Sequence, residues 1–284
     1  MSKDNVNTIF SVLKNARNEL QSTSDSPALD AELLLAHCLD KNQTYLHTWP
    51  EKSLNTQQLA CFSKFIEKRK IDYPVAYMLG HKEFWTLDLI VTEDVLIPRP
   101  ETELLVEIAL EKIKKIKNPK ILDLGTGSGA IALAIASERL DAQVTASDFS
   151  EKALQVAKIN AKENKLLQRV TFIKSDWFSH INDNSFDLIV SNPPYIAPND
   201  PHLLHEIRYE PQPALISKEQ GLNDIQIIIA NSKKYLNKKG VLILEHGYDQ
   251  SSLISSLLSK HKFHTIVNSL DLNNNPRTTS AVAI

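Results

Sequence analysis

The sequence predicts an α/β protein with two parts, in which a small helical bundle precedes a doubly wound, Rossmann-like domain with a mostly parallel sheet of seven strands. Three observations predict this class. No glycine occurs before Gly80, and apolar residues in this first part recur at helical spacing. After residue 98, short apolar runs alternate with amphipathic stretches, which is typical of parallel strands joined by helical crossovers. A glycine-rich turn, DLGTGSGA at 123–130, follows the first of these runs.

Residues 1–80 are predicted to form the helical bundle. Three apolar stripes define its helices: Val6, Ile9, Phe10, Leu13 and Leu20; Leu29, Leu33, Leu34 and Cys38; and Leu59, Phe62, Phe65 and Ile66. Pro27 suits the first turn of the second helix, and Asn55 or Thr56 suits the N-cap of the third. Residues 81–97 contain the β-rich run FWTLDLIVTEDVLI and are expected to form a hairpin linker. The prolines of PRPE at 98–101 then open the α/β domain, which is expected to span 98–284.

The α/β domain is predicted to contain strands and helices in alternation. Strands are expected at 120–125, 143–148, 170–176, 186–192, 240–247, 264–272 and 278–284. Helices are expected at 128–139, 150–164, 222–236 and 249–260. Because helices separate most of these strands, the sheet is expected to be mostly parallel.

Composition restricts the functional classes. The chain of 284 residues is 42% hydrophobic and 23% charged, and its net charge is −2. It lacks the continuous apolar run of about 18 residues that a membrane span requires, and its first residues lack the basic and apolar regions of a signal peptide. We therefore expect a cytoplasmic protein that does not associate with a membrane. A balanced charge disfavours a protein that grips bare nucleic acid. Cys38 and Cys61 are expected to be ordinary buried thiols, and no metal-ligand spacing surrounds them.

The glycine-rich turn predicts a ligand at the start of a helix. Gly125, Gly127 and Ala130 fit the dinucleotide fingerprint G-x-G-x-x-A, and Asp148 ends the next strand, where a ribose-binding acid is expected. NAD binding is therefore one interpretation. Two features count against NAD binding. Asp123 occupies a position before the loop that is usually apolar in dinucleotide binders, and the sequence shows no group of residues suited to hydride transfer. A carboxylate there suits a ligand with a cationic end, such as S-adenosylmethionine. A tight turn without a ligand is the remaining alternative.

The run FDLIVSNPPYIAP at 186–198 predicts a second site. Proline cannot extend a sheet ladder, so Asn192 and Tyr195 are held on a stiff turn at the end of a strand. The Asn192 oxygen and the Pro193 carbonyl can accept hydrogen bonds from an –NH2 group, while Tyr195 can stack on a flat group. Such a site would hold a planar nitrogen and leave its lone pair facing a methyl sulfonium, so that orientation and electrostatics supply the catalysis. A structural loop, with Tyr195 as a packing residue, is the alternative.

The motifs together resemble one family. They are PRPETELLVE (98–107), LDLGTGSGAIALA (122–134), SDWF (175–178), SNPPYI (191–196), DPHL (200–203), YEPQPAL (209–215), LILEHG (242–247) and NNNPR (273–277). This combination is similar to the PrmC/HemK family, the peptide chain release factor glutamine methyltransferases, which are class I S-adenosylmethionine-dependent enzymes. The NPPY element alone is shared with DNA and RNA amine methyltransferases.

The resemblance implies methyl transfer from S-adenosylmethionine to the glutamine amide nitrogen in the Gly-Gly-Gln motif of release factors, with S-adenosylhomocysteine as the second product. It implies that the domain at 1–80 docks the release factor, and we expect a monomer without a direct requirement for nucleic acid. A nucleic-acid exocyclic-amine methyltransferase, acting on adenine or guanine, is the alternative; it lacks support from a target-recognition domain, and a duplex base would have to be flipped out. A sensor of S-adenosylmethionine is disfavoured, because it has no use for an amide clamp.

The resemblance also assigns residues. The cofactor is expected at Asp123, Gly125, Thr126, Gly127, Ser128, Gly129, Asp148, Phe149, Asp176, Trp177 and Asn192. The substrate is expected at Asn192, Pro193, Pro194 and Tyr195, of which Asn192, Pro193 and Tyr195 are the catalytic candidates. In this assignment Asp148 accepts from the ribose hydroxyls, and Asp176 and Trp177 border the adenine. Ser128 replaces a common Thr, which does not alter the interpretation. The sequence leaves open the roles of Arg99, His246 and Arg277, although His246 is expected only to end a strand.

Overall fold

The computed structural model describes residues 7–203 and 205–284, without the side chains of His202 and His205. Among these residues, 7–80 and 205–209 form one compact group, here called the helical unit. Residues 81–203 and 210–284 form the other, here called the sheet unit, which therefore includes the predicted linker at 81–97. No helix in the described ranges is both long enough and apolar enough to cross a membrane.

The helical unit is built from short amphipathic helices. They are α1 (Ile9–Leu20), α2 (Pro27–Leu39), α3 (Gln43–Thr48), α4 (Thr56–Arg69) and α5 (Val75–Leu79). Pro27 opens α2 and Asn55 caps α4 in a capping box with Gln58, as the sequence predicts. The helices α3 and α5 were not predicted, because their 6 and 5 residues are too few to show an apolar period. Apolar residues of α1, α2 and α4 meet in one core around Leu20, Leu34 and Phe62. Phe10 and Leu29, which were predicted to belong to these stripes, are exposed instead, and Val6 lies outside the described residues.

Two polar features mark this unit. Cys38 and Cys61 are half-buried, not buried as predicted, and their Sγ atoms lie 2.6 Å apart. The Arg69 guanidinium is buried, and its Nε donates to Asp30 Oδ2 at 2.6 Å. Its Nη2 pairs with Glu206, which lies on the short 3-10 helix His205–Tyr209.

The sheet unit contains a hairpin and a large sheet. The hairpin pairs β1 (His81–Phe84) with β2 (Leu87–Ile90) in antiparallel orientation. The large sheet comprises β3 (Lys120–Leu124), β4 (Gln143–Asp148), β5 (Val170–Lys174), β6 (Phe186–Ser191), β7 (Leu236–Glu245), β8 (Phe263–Leu270) and β9 (Pro276–Ala283). Within the described residues its order is β5-β4-β3-β6-β7-β9-β8, and only the pairings of β9 are antiparallel. The predicted class, a mostly parallel seven-stranded sheet, is confirmed.

Helices cover both faces of the sheet. They are α6 (Glu103–Ile113), α7 (Ala130–Glu138), α8 (Glu151–Glu163), α9 (Lys218–Gly221), α10 (Asn223–Ser232) and α11 (Ser251–Lys260). Successive residues of a strand point to opposite faces, so Ile121 packs in the core beneath α6 and α7 while Leu122 packs in the core beneath α10 and α11. The predicted helix at 222–236 ends earlier, at Ser232, because Leu236 already pairs with Phe186 as the first residue of β7.

Candidate active site

The predicted site residues meet where the strand order reverses. The strand β3 pairs with β4 on one side and with β6 on the other, with Leu124 opposite both Ser147 and Ser191. The loops that follow these three strands therefore leave the same edge of the sheet. In open α/β sheets, ligands bind in the crevice outside the carboxyl ends of the strands at such a switch point.

The glycine-rich turn is held against the end of β4. The backbone N–H groups of Gly125 and Thr126 both donate to the Ser147 carbonyl at 2.9 Å. The loop needs left-handed backbone at three positions, and glycine supplies it at Gly125, Gly127 and Gly129, with φ of 73°, 55° and 86°. A Cβ on Gly127 would meet nothing within 4 Å, so this part of the loop borders open space in which a ligand can lie.

Asp123 lies beneath this turn and is fully buried. Its Oδ2 accepts a hydrogen bond from the Thr126 hydroxyl at 2.7 Å, whereas its Oδ1 has no hydrogen-bond partner among the described residues. Burial raises the pKa of Asp123 to about 7. A buried carboxylate with a free oxygen is costly in isolation, and a cationic ligand would compensate it. This observation fits a donor with an ammonium or sulfonium end.

Asp148 organises the loop from the end of β4. Its Oδ2 accepts from the Gly127 N–H and its Oδ1 from the Ser150 N–H, both at 2.8 Å. Burial raises the pKa of Asp148. Each carboxylate oxygen has a second lone pair, so the side chain can still accept from ribose hydroxyls. The adjacent Phe149 is 69% exposed and does not join the cluster.

Two further predicted residues follow β5. The Trp177 ring approaches the turn, because a Cβ on Gly125 would lie 3.6 Å from its Cζ3 atom. Its indole N–H donates to Asp224 at 3.2 Å, which fixes the plane of the ring. Asp176 is exposed, and its backbone N–H donates to Ser179. The structure thus brings the Trp177 ring to the loop but leaves the Asp176 side chain at the surface.

The second half of the site follows β6. Asn192 donates from Nδ2 to the Thr102 hydroxyl at 3.2 Å. Pro193 is buried and Pro194 is half-buried. The Tyr195 hydroxyl donates to Glu245 Oε1 at 3.3 Å, and its ring is half-buried against the core beneath α10 and α11. Both side chains on this turn are thus fixed through their polar ends.

Several residues that support the site were not predicted. Gln250 donates from Nε2 to the Tyr195 carbonyl at 3.0 Å. Gly221 packs so closely that a Cβ would lie 2.1 Å from the same carbonyl oxygen. Asn160 on α8 is buried and donates to the Ser128 carbonyl at 2.9 Å, which secures the glycine-rich turn. Apart from the scarcity of glycine, which singles out Gly221, the sequence carries no local signal for these roles.

Each residue whose role was left open has defined polar contacts in the structure. Arg99 pairs with the buried Glu210, whose other oxygen accepts from the Ile97 N–H at 3.0 Å. His246 is buried, with Nδ1 2.8 Å from the Gly247 carbonyl and Nε2 2.7 Å from the Thr279 hydroxyl. Burial lowers the pKa of His246. The prediction that it ends a strand through ordinary hydrogen bonds is confirmed. Arg277 lies near the His246 carbonyl and pairs with Asp271, so it pins the closing turn.

The arrangement suits transfer of a group between two bound molecules. One half offers a buried carboxylate and open backbone beside an indole ring. The other half offers an amide and a proline carbonyl on a rigid turn, one strand away. Among the described residues, no cluster of His, Cys, Asp or Glu has a geometry that could hold a metal ion. The Asn192 amide and the Pro193 carbonyl lie where they could hold a planar nitrogen beside a donor bound at the glycine-rich turn.

Comparison with known families gives two matches within the chain. Residues 100–218 match the methyltransferase small domain, and residues 11–80 match the PrmC N-terminal domain. The two matches together include most of the helical unit and all of the predicted site residues.

Curated relatives match over nearly the whole chain. A release factor glutamine methyltransferase of Shewanella oneidensis is 44% identical over 272 residues, which cover 95% of this chain and 94% of the relative. Another of the same name, from Vibrio cholerae, is 46% identical over 275 residues, covering 96% of each chain. Among solved structures, the 16S rRNA N2 G1207 methyltransferase of Thermus thermophilus, in complex with AdoMet and guanosine, aligns with a TM-score of 0.53 at 18% identity. That alignment covers 72% of this chain and 50% of the other, and it supports the fold alone.

Proposed function

Because the chain belongs to the release factor glutamine methyltransferase family, we propose that it methylates the glutamine of the Gly-Gly-Gln motif in peptide chain release factors. S-adenosylmethionine is the methyl donor and supplies an electrophilic methyl carbon on a sulfonium. The observation that carries the proposal is the position of the Asn192–Pro193 turn beside the glycine-rich loop at the switch point. In this proposal the chain acts as a cytoplasmic monomer, and its N-terminal helices dock the release factor.

The donor half of the proposed site uses backbone and carboxylates. The loop from Gly125 to Gly129 provides space for the amino-acid and ribose portions, and the free Oδ1 of Asp123 faces a cationic group. Asp148 accepts from the ribose hydroxyls while it holds the Gly127 N–H. The Trp177 ring offers an apolar wall for the adenine.

The acceptor half orients a weak nucleophile. The lone pair of a carboxamide nitrogen is delocalised into the carbonyl, so the nitrogen must be pyramidalised before it can attack a methyl carbon. The Asn192 oxygen and the Pro193 carbonyl accept its two N–H groups, which directs the lone pair toward the donor. The nitrogen then forms a bond to carbon as the carbon–sulfur bond breaks, and the sulfur keeps the electron pair. The surplus proton leaves the nitrogen for water after transfer, so orientation and electrostatics carry the catalysis.

The test measures transfer of labelled methyl from S-adenosylmethionine to four substrates. These are a release factor, the same factor with Gln→Ala in its Gly-Gly-Gln loop, DNA and RNA. We expect label on the first substrate only. Label on DNA or RNA alone would reject the proposal in favour of a nucleic-acid amine methyltransferase, and donor binding without any label would indicate a sensor.

One variant tests the acceptor half. Asn192→Ala should reduce kcat by about 100-fold or more, as expected for loss of a group that orients the reacting atoms. Its dissociation constant for the donor, measured by calorimetry, should stay within about threefold of wild type. The matched control is Asn231→Ala, because the Asn231 side chain on α10 donates to the Ile227 carbonyl and accepts from Lys234, has no described contact with the turn at 192–195, and should be dispensable. An activity loss that simply follows donor affinity would contradict the assigned role.

A further inference from the structure

The two side chains of the amide-holding turn are attached to one buried carboxyl group. Asn192 Nδ2 donates to Thr102 Oγ1 at 3.2 Å, and the Tyr195 hydroxyl donates to Glu245 Oε1 at 3.3 Å. Asn192 and Glu245 directly follow the paired residues Ser191 and Leu244, so the Thr102 hydroxyl that Asn192 contacts lies beside Glu245. It is a hydrogen-bond partner of the Glu245 carboxylate and lowers the pKa of that group. A chain of polar groups therefore runs from Asn192 through Thr102 and Glu245 to Tyr195.

The middle of this chain of polar groups is shielded from solvent. Glu245 is 1% exposed and Thr102 is 4% exposed. The strand register explains why Asn192 and Glu245 are neighbours. Ser191, the last residue of β6, pairs with Leu244, so Asn192 directly follows β6 beside Glu245, the last residue of β7. The Glu245 Oε2 atom has no hydrogen-bond partner within the part of the chain that the structure describes. A carboxylate in such a place is costly, and hydrophobic packing alone gives no reason for it.

The direction of the hydrogen bonds follows from the charge on Glu245. A carboxylate accepts only, so the single proton of the Thr102 hydroxyl must point to Glu245. The hydroxyl oxygen then has only lone pairs for Asn192, which must present its –NH2 end to Thr102. The Asn192 Oδ1 atom is consequently the end that remains for a substrate. A protonated Glu245 can instead donate to Thr102, whose hydroxyl can then donate to Oδ1, and this reversal would turn the Asn192 –NH2 toward the substrate.

We propose that Thr102 and Glu245 are positioning residues for glutamine methylation, in which the Glu245 carboxylate acts through the Thr102 hydroxyl to keep the Asn192 oxygen directed at the substrate –NH2 group. This inference rests on the proposed function, because it requires a substrate that donates N–H bonds. It adds to that function the group that determines which end of the Asn192 amide is presented.

Several charged groups act on Glu245 in addition to its two hydroxyl partners. Burial raises its pKa to about 7, Arg277 at the start of β9 lowers the pKa, and Glu101 beside Thr102 raises it. The neighbouring His246 ring is turned to Gly247 and Thr279, and burial lowers its pKa. Since a raised pKa places protonation of Glu245 near neutrality, kcat should fall as the pH falls below about 7.

The experiment compares Thr102→Val, Thr102→Ser and Glu245→Gln with wild type, on release factor at saturating donor. Thr102→Val keeps the shape of the side chain but removes the hydroxyl, so kcat should fall by about 10- to 100-fold while the donor dissociation constant changes less than about threefold. Thr102→Ser restores the hydroxyl and should recover kcat to within about threefold of wild type. The matched control is Thr278→Val. The Thr278 hydroxyl on β9 is buried opposite Glu245 but has no described hydrogen-bond partner, so the kcat of this variant should equal that of wild type.

The pH profile separates positioning from a merely structural role. The acid limb of kcat should be present in wild type, Thr102→Ser and Thr278→Val, and absent in Glu245→Gln and Thr102→Val. An unchanged acid limb in Glu245→Gln, or a full kcat in Thr102→Val, would overturn the inference while the wild-type labelling of release factor still supports the proposed function. If wild type fails to label the factor, the proposed function itself fails.

Discussion

The contact between Gly221 and the Tyr195 carbonyl allows a residue outside the predicted site to be tested. Gly221 has φ of +84°, and a Cβ built on it would lie 2.1 Å from the carbonyl oxygen and 2.8 Å from the carbonyl carbon. Both are backbone atoms, which cannot rotate away as a flexible side chain can. The substitution Gly221→Ala therefore forces either the turn at 192–195 or the segment around Gly221 to move.

The size of the effect follows from these distances. To reach even 3.0 Å, the backbone atoms must separate by about 0.9 Å. A misplacement of about 1 Å in the reacting groups costs on the order of 100-fold in rate. Left-handed backbone adds roughly 1–2 kcal/mol of instability for alanine. We expect kcat/KM to fall about 100-fold, whereas the donor site on the far side of β6 should keep its affinity.

The assay combines methyl transfer to release factor, calorimetric binding of S-adenosylmethionine and thermal unfolding. The matched control is Gly80→Ala, because Gly80 has φ of +78° but no atom within 4 Å of the added Cβ. The control should lose comparable stability through backbone strain and should retain activity. A Gly221→Ala protein with wild-type kcat/KM, or one whose activity falls no further than that of Gly80→Ala, would refute the reasoning.

Three further predictions concern buried charges. Asp148→Ala should raise the donor dissociation constant by about 10- to 100-fold, since hydrogen bonds to a charged group contribute roughly 1.5–3 kcal/mol; calorimetry that gives a wild-type constant would remove Asp148 from the ribose role. The folded-state pKa of Asp123 is about 7, above its ordinary 3.8, so the folded protein binds a proton that the unfolded chain releases, and this stabilisation is lost as the pH rises through about 7. Asp123→Asn should therefore reduce the fall in Tm between about pH 5 and pH 8 in donor-free protein, and a fall equal to that of wild type in calorimetric scans would contradict it. Arg69→Met leaves Asp30 without its guanidinium partner and should destabilise the protein by about 3–5 kcal/mol, measured by urea unfolding; a loss below about 1 kcal/mol would contradict the role of the buried pair.

The sequence could predict the parts of the site that lie at the ends of strands. Gly125, Asp148 and Asn192 each follow or end an apolar run, and parallel strands bring such positions to one edge without any knowledge of packing. The supporting residues could not be predicted, because Thr102, Gly221 and Gln250 come from separate segments and meet the turn only through tertiary packing. Short elements such as α3 were missed for a related reason, since tertiary contacts and not periodicity define them.

The placement of two carboxylates explains why the site can be built on so rigid a sheet. Asp123 on β3 and Glu245 at the end of β7 lie on the two strands that flank β6, and both have a buried oxygen without a described partner. Neither group is stabilised within its own strand, so each must obtain its compensation from the site. Under the proposed function, a cationic donor would compensate Asp123, whereas the Thr102 and Tyr195 hydroxyls act on Glu245. The donor and the acceptor halves can therefore each be fixed by a charge that lies one strand away from β6. Under the proposed function, this arrangement would orient both reacting groups without a general base between them.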